Sequence, residues 1–219
     1  MNRIAFIASL TKGYDTAVDI GVDHGLVLKH ALDNNYIKHA IASDVNQGPL
    51  DHARKNLAGY PVRFYLSDGF KSVDVDFDVA IITGMGPHLI IDILNDTKMH
   101  LNKTYILGAN EKIEVLRKWL CDNDFMIIDE YVIYDGFYYV FLKVEKGQMK
   151  LDAKDLYLGP VLKYKREAMP YYKHKLMHYT NLSKKAKGKK LVEIQDILQH
   201  FKDFFKYRLI CLLDIDNLV

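Results

Sequence analysis

Cysteine is nearly missing from this chain: Cys121 and Cys211 are the only two in 219 residues. With one in each half, neither a disulfide framework nor a cysteine-built zinc site is expected, and no metal of any kind. No apolar run approaches the length that crosses a bilayer, so a membrane is not an expected partner. An internal repeat at solenoid period is also lacking. The opening stretch "MNRIAFIASLTKGYD" has one arginine and a short apolar patch but no cleavage signature, and it reads as part of the folded protein. A reducing, cytoplasmic setting and a monomer are the default expectations. The net charge is only +2, so the total says little about partners and the distribution says more. What is present is ordinary for a globular protein: 49% hydrophobic and 26% charged residues, enough for one full domain and an appendage.

From Thr16 to Glu145 strand and helix patterns alternate. "TAVDI", "HAIAS", "VRFYL", "FDVAIIT" and "KTYILGA" read as strands. "LVLKHALDNNY", "GPLDHARKNLAG", "PHLIIDILND" and "NEKIEVLRKWLCDN" read as helices, the last with Asn110 as its cap. Continuously apolar strands in such an alternation imply an α/β fold with a mostly parallel sheet covered on both faces. The block then changes character. "FMIIDEYVIYDGFYYVFLKVEKG" holds two β-rich runs around Asp135-Gly136, a hairpin signal. A seven-stranded, Rossmann-like sheet ending in an antiparallel hairpin is expected. After about Met149 the chain turns helical, basic and aromatic. Leu191, Ile194, Leu198, Phe201, Phe205, Leu209 and Leu212 keep a three-to-four spacing, and Leu162, Met169, Leu176 and Tyr179 a looser one. A coiled-coil hairpin of two long helices is expected, with its turn between Ser183 and Lys190. The expected domains are therefore 1–149 and 150–219.

Four strand ends carry the candidate site. Asp19-Ile20-Gly21-Val22-Asp23-His24-Gly25 closes the first strand, and its glycines allow a sharp turn and close backbone approach to a ligand. Its spacing is not that of a dinucleotide loop. Asp19 and Asp23 would repel a pyrophosphate and attract a ligand bearing an ammonium and a sulfonium. Asp44, followed by Val45, ends the second strand, where a carboxylate can accept both hydroxyls of a ribose. Ser67-Asp68-Gly69 ends the third, where a carboxylate can accept from an adenine amino group. Thr83-Gly84-Met85-Gly86 ends the fourth, beside the point where ligands bind in such sheets.

Together "DIGVDHG", "DVNQGPLDHARKN", "SDGF" and "TGMGP" resemble the bacterial TrmK family, methyltransferases acting on N1 of the adenine at position twenty-two of tRNA. The resemblance covers essentially the whole chain, including an amino-terminal Arg3. It departs at Gly84-Met85-Gly86-Pro87, where the family has Gly-Met-Gly-Gly, and at Gly108-Ala109-Asn110, where it has Gln-Pro-Asn. The resemblance implies a class I methyltransferase domain, S-adenosyl-L-methionine as cofactor and tRNA as partner. It places Asp19, Gly21 and Gly25 at the methionine end of the cofactor, Asp44 on its ribose, Asp68 on its adenine and Gly84 beside the transferred methyl.

Adenine N1 has a free lone pair at neutral pH and needs no general base, so the enzyme's task is alignment. The product is cationic, and Asp23 is the candidate to stabilise that charge. His24 is the candidate contact to the target base. Thr-Gly-Met-Gly after the fourth strand, in place of Asn-Pro-Pro-Tyr, favours a ring nitrogen over an exocyclic amine. In the tail Lys163, Lys165, Arg166, Lys173, Lys175, Lys184, Lys185, Lys187, Lys189 and Lys190 are interleaved with Tyr164, Tyr171, Tyr172 and Tyr179, and Glu167 is the one acid among them. Such a surface can follow phosphates and offer stacking rings. Two other readings stay open: a nicotinamide-dependent oxidoreductase, and an RNA-binding protein that keeps the fold without catalysis.

Overall fold

Strands β1 (Thr16–Ile20), β2 (His39–Asp44), β4 (Val79–Met85) and β5 (Thr104–Ala109) are buried along most of their lengths, as parallel strands covered on both faces must be. Strand β3 (Val62–Leu66) is half-exposed at the sheet edge. The structure, a computed structural model, describes residues 2–95 and 102–216, with side chains up to Arg208. The seven-stranded sheet has the order β3-β2-β1-β4-β5-β7-β6. The first five strands pair in parallel, with Asp19 in register with both Ala42 and Ile81. β6 (Phe125–Asp135) and β7 (Phe137–Lys146) form the expected hairpin, turned at Gly136 with φ +73°. β7 runs antiparallel to β5. The chain winds outward from β1 to β3 and returns at β4. The carboxyl ends of β1 and β4 therefore flank the topological switch point, where such sheets bind ligands.

Helices α2 (Leu26–Asp33), α3 (Gln47–Asn56), α4 (Pro87–Asn95) and α5 (Ile113–Asp122) cover the sheet. A further helix, α1 (Arg3–Ser9), precedes them, capped by the Asn2 side chain, which accepts the Ala5 N–H at 2.8 Å. Leu28, Leu50, Leu57, Ile81 and Phe141 belong to one buried cluster with Ile7 of α1. Between α5 and β6 lies an ion pair with no solvent exposure: Arg117 Nε donates to Glu130 Oε1 at 2.8 Å. Asn110 is not the cap of α5, contrary to the sequence reading. Lys112 takes that position in a left-handed conformation, and Asn110 turns back to β4 instead: its N–H donates to the Met85 carbonyl (3.0 Å) and its side-chain Nδ2 to the Gly84 carbonyl (2.8 Å).

The chain divides into two compact units, Met1–Lys150 and Leu151–Val219. The second is helical throughout its elements: α6 (Ala153–Leu158), 3-10 turns at Leu162–Tyr164 and Arg166–Ala168, α7 (Met169–Ser183) and α8 (Lys189–Asp216). The expected early start of the first long helix, around Leu162, is corrected here. Gly159-Pro160 ends α6, and Pro170 fits only the first turn of α7, so the segment between them stays in short turns. α7 and α8 pack through aromatic rings, Tyr172 on Phe204 (4.7 Å between centroids) and Tyr179 on Phe201 (5.6 Å). Ile194, Leu198 and Phe201 are buried along one stripe of α8. Leu209 and Leu212, expected to continue it, lie outside the described side chains. Among the described residues no helix is long and apolar enough to cross a membrane.

Candidate functional site

β1 delivers the chain into a tight turn. The N–H groups of Gly21 and Val22 both donate to the Ser43 carbonyl of β2 (2.8 and 3.0 Å). Gly21, Asp23 and Gly25 all have positive φ, at +78°, +50° and +70°. At Gly25 a β-carbon would also fall 2.7 Å from Leu57 Cδ1, so the turn can close only on glycine. The turn leaves a cavity of about 380 Å3 at the switch point. Asp19, Gly21, Asp23, His24 and Gly84 line it, together with Arg3, Asn110 and Tyr139.

The cavity is acidic by construction. Asp19 is buried, and desolvation first, then the charges of Asp44 and Asp23, push its pKa up to about 8. Asp44 is buried as well, and two backbone N–H groups fix its carboxylate: Asp23 donates to Oδ2 (3.3 Å) and Asn46 to Oδ1 (2.9 Å). Asp23 is exposed at the rim, with its carboxylate 3.6 Å from His24 Nε2. The His24 ring stacks on His52 of α3, 5.1 Å between centroids and 4° from parallel. A pyrophosphate would meet the carboxylates of Asp23 and Asp44 beside a protonated Asp19, whereas a cationic nucleoside would find the first two complementary and draw Asp19 into ionising. Gly84, with φ +82°, faces open space where a β-carbon would stand. The donor set and this bare backbone fit S-adenosyl-L-methionine.

At the ends of β2 and β3 the site continues outside that cavity. Asp68 is exposed and ion-paired with Lys71 (2.6 Å). Ser67 is buried; its hydroxyl accepts the Ser72 N–H (2.9 Å) and donates to the Gly69 carbonyl (3.0 Å), shaping the loop. Val45, next to Asp44 in the chain, and Leu66, the register partner of Asp44 on β3, are 61% and 53% exposed. Sequence reasoning found the carboxylates and glycines. It did not assign His52, Leu66 or Tyr139 to the site: Leu66 and Tyr139 arrive without a motif, His52 sits in a quoted motif but meets His24 only through the packing of α3, and Asn110 was given a different task.

The tail residues fare unevenly. Arg166, Lys173, Lys184, Lys185 and Lys187 are exposed and Lys165 is half-buried. Lys163 is committed to an ion pair with Asp155, which removes it from the free cations. Tyr171 and Tyr172 are buried, and Tyr172 donates its hydroxyl to the Leu158 carbonyl, so neither can serve as a stacking ring. Tyr164 is 75% exposed and can.

A seven-stranded sheet with a reversed last strand, and an acidic glycine turn at its switch point, define a class I, Rossmann-like methyltransferase. The family model for TrmK, tRNA (adenine(22)-N(1))-methyltransferase, matches residues 17–204. The chain belongs to that family. It is 27% identical to the tRNA (adenine(22)-N(1))-methyltransferase of Bacillus subtilis over 92% of this chain and 94% of the relative. It is 30% identical to a Mycoplasma pneumoniae protein assigned as a tRNA methyltransferase, over 81% and 89% of the two chains. A crystal structure from Streptococcus pneumoniae, of a protein assigned as a tRNA methyltransferase and bound to S-adenosyl-L-methionine, superposes with a TM-score of 0.82. That pair shares 28% identity over 93% of this chain and 99% of the other. These matches support the methyltransferase reading and not the nicotinamide-dependent one.

Proposed function

We propose that this chain methylates N1 of adenine 22 of tRNA in the carboxylate-lined cavity at the ends of β1 and β4. The observation that carries the reading is a glycine-walled pocket at the switch point of a methyltransferase sheet, lined by Asp19 and Asp23, with Asp44 beside it accepting the Asp23 N–H. When bound, S-adenosyl-L-methionine supplies an electrophilic methyl group on a sulfonium. Asp44, held by its two backbone donors, accepts the ribose hydroxyls. Val45 and Leu66 flank the adenine, and Asp68 accepts its amino group in exchange for Lys71. Asp19 ionises opposite a positive ligand, and Gly21 and Gly25 keep the turn close to it. Gly84, tied down by Asn110, leaves room beside the methyl.

Adenine N1 attacks with its own lone pair, so no residue has to take a proton at that step. Alignment is the main contribution. Asp23 offsets the positive charge that develops on the base, and His24, backed by His52, offers the base a flat ring. N1 is hidden in a base pair, so the target must be exposed or flipped. Arg3, at the cavity, and Lys165, Arg166, Lys173, Lys184, Lys185 and Lys187 of the tail supply phosphate contacts. A tRNA substrate supports a cytoplasmic location. Calorimetric titration with S-adenosylhomocysteine tests the pocket. Saturable one-to-one binding is expected, and binding of NADH in its place would overturn the reading.

A further inference from the structure

Helix α8 carries two stripes. Ile194, Leu198 and Phe201 are the buried one. His200, Asp203, Phe204, Tyr207 and Arg208 recur at three- and four-residue spacing and so share a second face. All five line one open groove of about 450 Å3. Its other side comes from α6 and from the 3-10 turn at Leu162–Tyr164, so the groove lies wholly within the helical unit. That volume falls in the range of small-molecule sites, roughly 300–1,000 Å3.

The base of the groove is apolar: Leu158 is buried, and Phe204 packs on the buried Tyr172 ring at 4.7 Å. Two of its lining rings stand in water, Tyr164 at 75% and Tyr207 at 63% exposure, and they bound the same space. Cations accompany them. The Arg208 guanidinium is 5.7 Å from the Phe204 centroid, and its Nη1 donates to the Lys163 carbonyl at 3.3 Å, which spends one of its five N–H donors. Lys154 of α6 lines the groove and is exposed. Asp203, the one acid among the described lining residues, accepts from Gln199 Nε2 at 2.8 Å. Large rings gathered in water mark a contact surface. Flat rings beside a guanidinium suit an unpaired nucleobase, which stacks whatever its identity, while the cations meet its phosphates. An apolar peptide side chain would use the rings and leave the cations unmatched.

We propose that the groove between α6, the Leu162–Tyr164 turn and α8 is a second RNA site, which takes one unpaired nucleotide of tRNA against Tyr164 and Tyr207. The proposal rests on the tRNA-methyltransferase reading above. A paired base has its faces covered by its neighbours in the stack, so the groove accepts a base from a loop or an end and not from a stem. It holds the substrate without reading its sequence. Stacking releases no counterions, so this contribution differs in kind from that of the exposed lysines of the tail.

The test is filter binding of tRNA at several salt concentrations by the full chain and by Tyr164→Ala, Tyr207→Ala and the double variant. The double variant is expected to bind roughly 5- to 150-fold more weakly, the worth of one stacked base, with the salt slope of the wild type. Affinity for S-adenosylhomocysteine and the thermal midpoint should stay at wild-type values. Tyr164→Phe and Tyr207→Phe should keep tRNA affinity, whereas leucine at both positions, which keeps apolar bulk without a ring, should lose it as alanine does. A short single-stranded RNA should compete with tRNA in the wild type better than a blunt duplex of the same length. Unchanged tRNA affinity in the double variant overturns the site and leaves the groove to a protein partner. Full affinity with leucine, or a flattened salt slope in the alanine variants, overturns it too, since the rings would then only pack or only hold the cations in place. A wild-type chain that meets these expectations and transfers no methyl keeps the groove and sinks the functional reading; one that binds no tRNA sinks both.

Discussion

Asp19 is a carboxyl that holds its proton at neutral pH, because burial and the charges of Asp44 and Asp23 raise its pKa from 3.8 to about 8. Without ligand, the folded state binds a proton that the unfolded state lacks between those two values, so Asp19 makes stability fall as pH rises through that window. A ligand ammonium held against Asp19, which S-adenosylhomocysteine carries, reverses the preference and expels the proton. Affinity for S-adenosylhomocysteine is therefore expected to rise with pH from 6 to 8, by up to about tenfold per unit, and then level off. Calorimetry in buffers of different ionisation enthalpy should show close to one proton released, and pH-independent binding without release would remove Asp19 from the ligand. Asp44→Ala should keep the fold and weaken the same affinity roughly 10- to 100-fold, the worth of a charged acceptor at about 1.5–3 kcal/mol. These carboxylates were legible in the sequence because they end apolar strands beside glycine. His52 and Leu66 were not, because only the packing of α3 and β3 brings them to the site. Asn110 was visible but misread: its side chain could serve a helix or a neighbouring strand, and the carbonyl of Gly84 won.

At the level of elements, pattern and turn chemistry did most of the specifying. Every strand of the sheet was legible, and so was the Asp135-Gly136 hairpin, because continuous apolar runs and a left-handed glycine turn are local signals. α1 was not, since its stability comes from Ile7 and Ala8 entering a core that no local pattern reveals. The buried pair of Arg117 and Glu130 joins α5 to β6 in the same unannounced way. Arg117→Met or Glu130→Leu alone should cost about 3–5 kcal/mol, each breaking a buried charged pair. The double substitution should recover most of that stability. Urea unfolding monitored by circular dichroism measures both, and additive destabilisation in the double variant would contradict a coupled pair. In the tail, the apolar spacing was read as helix from Leu162, but Pro160 and Pro170 restrict the backbone there. The backbone restriction is the stronger effect, and the long helix begins only at Met169.

For the whole molecule, the motifs at four strand ends led to the family, and the match over residues 17–204 secures it. Which tail groups meet RNA was less legible, because a run of lysines and tyrosines does not show that Lys163 pairs with Asp155 or that Tyr171 and Tyr172 are core. Lys184, Lys185, Lys187, Lys189 and Lys190 are all exposed. Replacing them together by glutamine should flatten the plot of log tRNA affinity against log salt by roughly 0.9 for each duplex phosphate that is no longer neutralised, equally for all tRNAs. Parallel plots for variant and wild type would place the RNA elsewhere. The central claim is the reaction itself. The most direct measurement is transfer of labelled methyl from S-adenosyl-L-methionine to bulk tRNA by the intact chain, followed by mapping of the modified nucleoside. The account expects 1-methyladenosine at position 22, formed more slowly at limiting cofactor when Asp44 is replaced by alanine. Methyl on an exocyclic amine or another base, or tRNA binding without any transfer, would contradict it.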